Sequence, residues 1–293
     1  MTEPMRLRMR AGAPLKAVHH ALTDPGSLRA WLAEHAEVDP PHRYAFWGPS
    51  IPEGDRARQT LLRLDDTTLR FGWTLDGEET TVELALEEET PETTIVTLAQ
   101  SGLPSWDEMF DAKGSRALVA TFWALALANL ADHLEGRPTT PRCDFTSPVM
   151  REEVMIDASP RAVYDSIMDP AAFARWFGVS VEIDPRIGGD FAMGGADHPE
   201  PPLKIVDLVP GSRVSLRWDD GTVASWELEG SEGRTRLTFT QSGFDASDPP
   251  YGAWMGWLSG IGELRRYHEL DGWRPIWTSI ELTGMPEGMI SYE

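Results

Sequence analysis

Gln241 is the side chain best placed to bind something. The stretch Arg234–Ser242 alternates with period two, so Leu237, Phe239 and Gln241 share one face, while Arg234, Arg236, Thr238 and Thr240 are expected to be exposed on the other. An amide turned inward with leucine and phenylalanine needs hydrogen-bond partners. It either caps a neighbouring backbone group or holds a ligand. Gln100 stands in the same setting earlier in the chain, after Val96 and Leu98. The aromatics expected to surround Gln241 are Trp176, Phe177, Phe191, Trp218, Trp226, Phe239, Tyr251, Trp254 and Trp257. Each has a plain role as core, and together they suit the wall of an apolar cavity with few polar groups.

Other chemistry finds little support. The seven histidines form no i,i+4 pair on a helix and no cluster with cysteine, so no metal is expected. His19 and His20 are adjacent on a helix and are expected to face solvent. Cys143 has no histidine near it in sequence, which leaves a covalent nucleophile unsupported. Phosphate-loop, dinucleotide-type glycine and G-x-S-x-G patterns are absent, and the glycines of 188–195 do not precede a helix. The expectation is no cofactor and no catalytic residue.

Composition narrows the partners. The 293 residues carry a formal net charge of −21, with no basic patch for nucleic acid or for an anionic membrane surface. A single cysteine excludes an internal disulfide framework and fits a reducing compartment. Residues 1–10 hold no apolar core of a secretory signal, so a cytoplasmic location is expected. The apolar stretch Ala117–Ala128 reads as too short to span a bilayer.

These residues recur at a fixed spacing because the chain is a repeat. Ala17–Pro40 aligns without a gap on Ala162–Pro185, a shift of 145 residues that matches Asp24-Pro25 with Asp169-Pro170 and Trp31 with Trp176. Phe46 then falls on Phe191 and Trp73 on Trp218; after a small shift Gln100-Ser101-Gly102 falls on Gln241-Ser242-Gly243 and Trp123 on Trp257. The expected organisation is a first domain over 1–136, a Pro-rich linker over 137–150, a second domain over 151–272 and a tail over 273–293.

Each repeat reads as a short strand, two short helices divided by Asp-Pro, a run of strands and a closing helix, an α+β domain of ~130 residues. Ser159 is the expected N-cap of the first helix in the second half. In the closing helix, Trp254, Trp257, Leu258, Ile261 and Leu264 form a stripe opposite Glu263, Arg265 and Arg266. Its counterpart Ala117–Ala131 is apolar nearly all round, so a second covering element, expected from the other half, must enclose it. Ile276, Trp277 and Ile280 are expected to tack the tail onto a neighbouring surface.

In the second half, Ala158-Ser-Pro-Arg-Ala-Val-Tyr164, Arg175-Trp-Phe177, Glu182-Ile-Asp-Pro-Arg-Ile-Gly-Gly-Asp-Phe191 and Thr240-Gln-Ser-Gly-Phe244 resemble the START-like SRPBCC superfamily. Within it they are most similar to proteins like the C-terminal domain of the heat-shock-protein-90 ATPase activator. The resemblance covers nearly all of residues 150–270 and implies two tandem helix-grip domains, each a curved antiparallel sheet around a long C-terminal helix with a cavity between. The first half departs from the pattern, with Arg43-Tyr44 in place of the Gly-Gly pair.

The resemblance implies, first, a binder of a small hydrophobic or aromatic molecule, mainly in the second domain and without covalent chemistry. A second reading is a two-domain polyketide aromatase/cyclase, with Gln241, Tyr251, Arg217 and Tyr164 at the cavity or its mouth. The third is a co-chaperone-like interaction module with an unidentified protein partner.

Overall fold

The computed structural model describes residues 3–111, 114–194, 201–285 and 290–292. It divides into two compact units. The first takes Met1–Thr146, Tyr251–Ser259 and Ile276–Pro286; the second takes Ser147–Pro250, Gly260–Pro275 and Glu287–Glu293.

In the first unit, β1 (Met5–Ala11) leads to helices α1 (Leu15–Thr23) and α2 (Pro25–Trp31), then the hairpin β2 (His35–Asp39) and β3 (Arg43–Trp47). Four strands follow: β4 (Gln59–Leu64), β5 (Thr68–Leu75), β6 (Glu78–Thr90) and β7 (Thr93–Ser101). The short α3 (Trp106–Asp111) and the long α4 (Ser115–Leu134) close the repeat. Asp24 ends α1 and caps α2, its carboxylate accepting the Ser27 N–H at 2.7 Å, with Pro25 in the first turn. The second unit repeats the plan with β8 (Met150–Ile156), α5 (Pro160–Met168) and α6 (Pro170–Phe177). Its later strands are β9 (Val181–Ile183), β10 (Asp190–Met193), β11 (Leu203–Val209), β12 (Arg213–Arg217), β13 (Val223–Ser231) and β14 (Arg234–Ser242). Ser159 caps α5 through the Ala162 N–H, and Asp169 caps α6 as Asp24 does α2.

The second unit's sheet is antiparallel throughout, in the order β8-β14-β13-β12-β11-β10-β9. In the first unit β2 and β3 stand apart as a two-stranded sheet, and the larger sheet runs β15-β1-β7-β6-β5-β4. Its edge strand β15 (Trp277–Glu281) comes from the segment read as a tail and pairs antiparallel with β1. Ile276 and Trp277 are buried there.

The helix α7 (Tyr251–Glu269) contributes Tyr251–Ser259 to the first unit and its remainder to the second. In the first unit, Gly252 and Gly256 lie over α4, close enough that a Cβ would stand 3.3 Å from Leu118 and 3.6 Å from Thr121. That second helix explains why α4 is apolar on every side. At 20 residues α4 is also longer than the sequence suggests. Among the described residues it is the one helix long and apolar enough to cross a membrane, and 67% of its most apolar stretch is buried inside the protein. Asn129, polar within it, pins the linker by exchanging two hydrogen bonds with the Thr140 backbone, 2.8 and 3.0 Å.

Three further expectations need correction. Glu263, Arg265 and Arg266 do not line a solvent face: all three are buried, because α7 is enclosed along nearly its whole length from Trp254 to Arg266. Thr238 is buried too; it stands in register between Glu227 and Glu153, long side chains whose stems can cover a short neighbour. His19 does not face open solvent. Its ring Nε2 lies 3.1 Å from the Asp65 carbonyl, in the turn before β5.

Candidate functional site

The interior of the second unit is built from β14 outward. Leu237, Phe239 and Gln241 alternate inward on β14, and β13 sets Leu228, Trp226 and Ala224 directly opposite them. Trp226 and Phe239 are tilted rings with centroids 4.9 Å apart. A second cluster forms around α6: Phe173 meets Trp176 at 4.8 Å and Phe191 at 5.3 Å. The Trp176 indole donates to the Ser166 carbonyl at 2.9 Å, which accounts for the position in structural terms. On α7, a Cβ at Gly260 would press on the Phe177 ring and stand 3.3 Å from Trp176, so glycine permits the close packing there.

Gln241 is 3% exposed, between Met150 on β8 and Ala224 on β13. Both polar atoms of its amide, Nε2 and Oε1, are enclosed and have no hydrogen-bond partner among the described residues. The following Gly243 needs its left-handed φ of 83° and the absence of a Cβ, which would come 2.5 Å from the Gly221 carbonyl. The Ser-Gly that follows Gln241 is thus a chain-turning device, and Gln241 is what it positions.

The repeat supplies a control. Gln100 sits between Met5 and Val82 on the equivalent strands and is wholly buried. Its Oε1 accepts the Trp123 indole N–H at 2.7 Å and its Nε2 donates to Thr80 Oγ1 at 3.0 Å, while the Thr80 hydroxyl donates to the Trp73 carbonyl at 2.7 Å. The first unit's interior is otherwise filled with rings. Phe46 meets Phe71 at 5.8 Å and Trp73 at 5.4 Å, and Tyr44, buried among them, has its phenol pKa pushed far up by desolvation. Tyr44 occupies the position of Gly189, and Phe71 that of Leu216. The second unit places its bulk differently, with Trp226 and Phe239 where the first has Leu84 and Leu98.

The remaining site candidates are spread out. Trp218 is half-buried at the end of β12, whereas its counterpart Trp73 is fully buried. Tyr251, Trp254 and Trp257 belong to the α7 segment that packs in the first unit. There Tyr251 donates to the Phe145 carbonyl at 3.2 Å and stacks edge-on with its ring. Burial raises the phenol pKa of Tyr251 and of Tyr164, which is not a state suited to a general base at neutral pH. Arg217 is exposed. The structure therefore brings Trp226, Phe239 and Gln241 onto one inner sheet face and gathers Trp176 and Phe191 around Phe173. Sequence reasoning missed Trp123 and Thr80 as the partners of Gln100; the signal available was their matched, inward positions in the repeat.

Two segments, residues 12–135 and 157–269, match the model of the family described as Activator of Hsp90 ATPase homolog 1-like protein. The chain belongs to this family, in tandem. Its domains are helix-grip folds. Solved structures similar to this chain include protein CV1439 from Chromobacterium violaceum, 24% identical, covering 42% of this chain and 99% of its own at a TM-score of 0.34. The Aha1 dimer from Colwellia psychrerythraea is 20% identical, with coverages of 42% and 96% and a TM-score of 0.37. DynU16, from the dynemicin biosynthetic locus, aligns over 92% of this chain and 100% of its own at 16% identity and a TM-score of 0.37. No curated protein matches.

Proposed function

We propose that the second unit is a binding module for a small, largely apolar molecule bearing one polar group that pairs with Gln241, and that no covalent chemistry is involved. The observation that carries this reading is the contrast between the two glutamines. A buried amide with neither donor nor acceptor satisfied costs about 1–3 kcal/mol per orphaned group. The first unit meets the same demand with Trp123 and Thr80. In the second, the missing partner is a ligand atom that accepts from Nε2 or donates to Oε1. The aromatic surroundings, Trp226 and Phe239 above all, supply the apolar contact.

The test is titration of the full chain with N-phenyl-1-naphthylamine, an apolar ring system with one N–H donor, alongside native mass spectrometry of freshly purified protein. Saturation at one equivalent is expected. Gln241→Leu should weaken the probe about tenfold, the range of one hydrogen bond in an apolar site, with Gln100→Leu leaving it unchanged. Equal binding by wild type and Gln241→Leu, with circular dichroism unchanged, would overturn the proposal.

A further inference from the structure

The first unit carries a cleft whose lining does not include Gln100. Here the loop after β3 folds into an open cleft of about 510 Å³, a volume within the range of small-molecule sites. The repeat marks it out. His35 and Trp47, which line it, stand where the second half has Ser180 and Ala192, so the duplicated fold does not require them. The two rings are stacked, 5.3 Å between centroids at an interplanar angle of 28°, although His35 is exposed and Trp47 only half-buried. Phe145 adds a third ring, fixed by its N–H to the Pro49 carbonyl at 2.8 Å.

The floor is preformed. Gly48 N–H bonds the Gly54 carbonyl at 2.9 Å, and Ile51 and Gly54 close two tighter turns inside that loop at 3.1 and 2.8 Å. A Cβ at Gly54 would collide with the Gly48 carbonyl, so the loop holds its shape only with glycine there. The charged residues of the lining are both acidic. Glu53 side chain is 24% exposed and Asp55 is 65% exposed, and each is held by Arg58, at 3.6 and 2.8 Å. Arg58 pairs with both, and the charge of Arg56 also acts on Asp55, while each carboxylate keeps further lone pairs to offer. Arg58 holds the Asp55 pKa below its ordinary value, so the charge persists well into the acid range.

Aromatic faces beside carboxylates with lone pairs to spare are the combination that selects cations with apolar bodies, through ring quadrupole and Coulomb attraction together. We propose that this cleft binds an organic cation of the alkylated-ammonium class. Its charge lies toward Glu53 and Asp55, and its apolar body lies against Trp47 and Phe145. The protein's net charge of −21 adds a long-range bias toward the same ligands.

Three soluble probes distinguish the possibilities on the full chain: benzyltrimethylammonium, neutral benzyl alcohol and anionic benzenesulfonate. Calorimetry should give saturable binding of the cation, at least about fivefold weaker binding of the alcohol and none of the sulfonate, the ordering a cation–π site with carboxylates imposes. Trp47→Ala should lose about tenfold in affinity and Asp55→Asn about threefold, with added salt weakening the cation throughout. Should Trp47→Ala fail to fold, the wild-type Trp47 indole and Phe145 amide resonances carry the same test, shifting on titration before any others. Alcohol bound as tightly as cation, or shifts confined to other regions, would overturn the assignment. Gln241→Leu leaves the cation's affinity unchanged, which separates this site from the one in the second unit.

Discussion

Gln100 and Gln241 occupy the same place in duplicated strands, each with a methionine on one side and a small aliphatic residue on the other. Around the first, an indole and a hydroxyl complete both hydrogen bonds, and Tyr44, Phe46, Phe71 and Trp73 fill the space beside them. Around the second, a glycine and a leucine replace two of those rings, and the buried amide has no partner among the described residues. Duplication preserved the strand, its register and the residue, while its surroundings diverged. On the proposed reading, a ligand supplies in the second copy what Trp123 and Thr80 supply in the first.

Truncation of the filled interior should produce the largest effect. Phe46→Ala removes a ring that touches Tyr44, Phe71 and Trp73, and should cost about 3–5 kcal/mol in denaturant unfolding of the first unit. A loss below about 1 kcal/mol would mean that this interior is loosely packed, and the contrast between the units would fail. Next comes Gln100→Leu. It strands the buried Trp123 indole N–H and should destabilise by about 1–3 kcal/mol.

The mirror substitution is expected to have the opposite sign. Gln241→Leu removes two orphaned atoms and, in ligand-free protein, should be neutral or slightly stabilising, within about 1 kcal/mol. If it destabilises as much as Gln100→Leu, Gln241 has a structural partner and the distinction between the two glutamines disappears. The smallest effect concerns acid. Burial lowers the pKa of His268, at the end of α7, below its ordinary value near 6.5. The unfolded chain then takes up a proton before the folded one, so stability is full above that value and declines as the pH falls below it. His268→Asn should flatten that decline below about pH 6.5, as followed by urea midpoints.

Much of the architecture was legible because it is written twice. The 145-residue shift places Asp24 and Asp169 at helix starts, and both prove to be caps; period-two alternation places Gln100 and Gln241 facing inward, and both are buried. What escaped the sequence depends on packing between segments distant along the chain. β15 has a strand's composition and nothing local to say that β1 is its neighbour. Glu263, Arg265 and Arg266 look like a solvated stripe until α7 is found to be covered there. Thr238 and His19 are settled by what stands beside them, the flanking glutamates in one case and the turn before β5 in the other. At the site, the sequence pointed to Gln241 but could not distinguish it from Gln100. That difference lies in Trp123 and Thr80, whose side chains meet Gln100 only in the folded state.

The chain's path through the two compact units bears on how the repeat can be taken apart. The first unit draws on residues up to 146 and then again on Tyr251–Ser259 and Ile276–Pro286. A fragment ending at the linker would carry β1 with its outer edge unpaired, where β15 belongs, and α4 without the helical segment that covers Leu118 and Thr121. An open strand edge beside a bare apolar helix is a recipe for association between chains. Gene halves cut at the obvious boundary should therefore express as aggregates, while circular permutants that keep every segment remain monodisperse. The first unit thus cannot be lifted out as one continuous stretch of the chain.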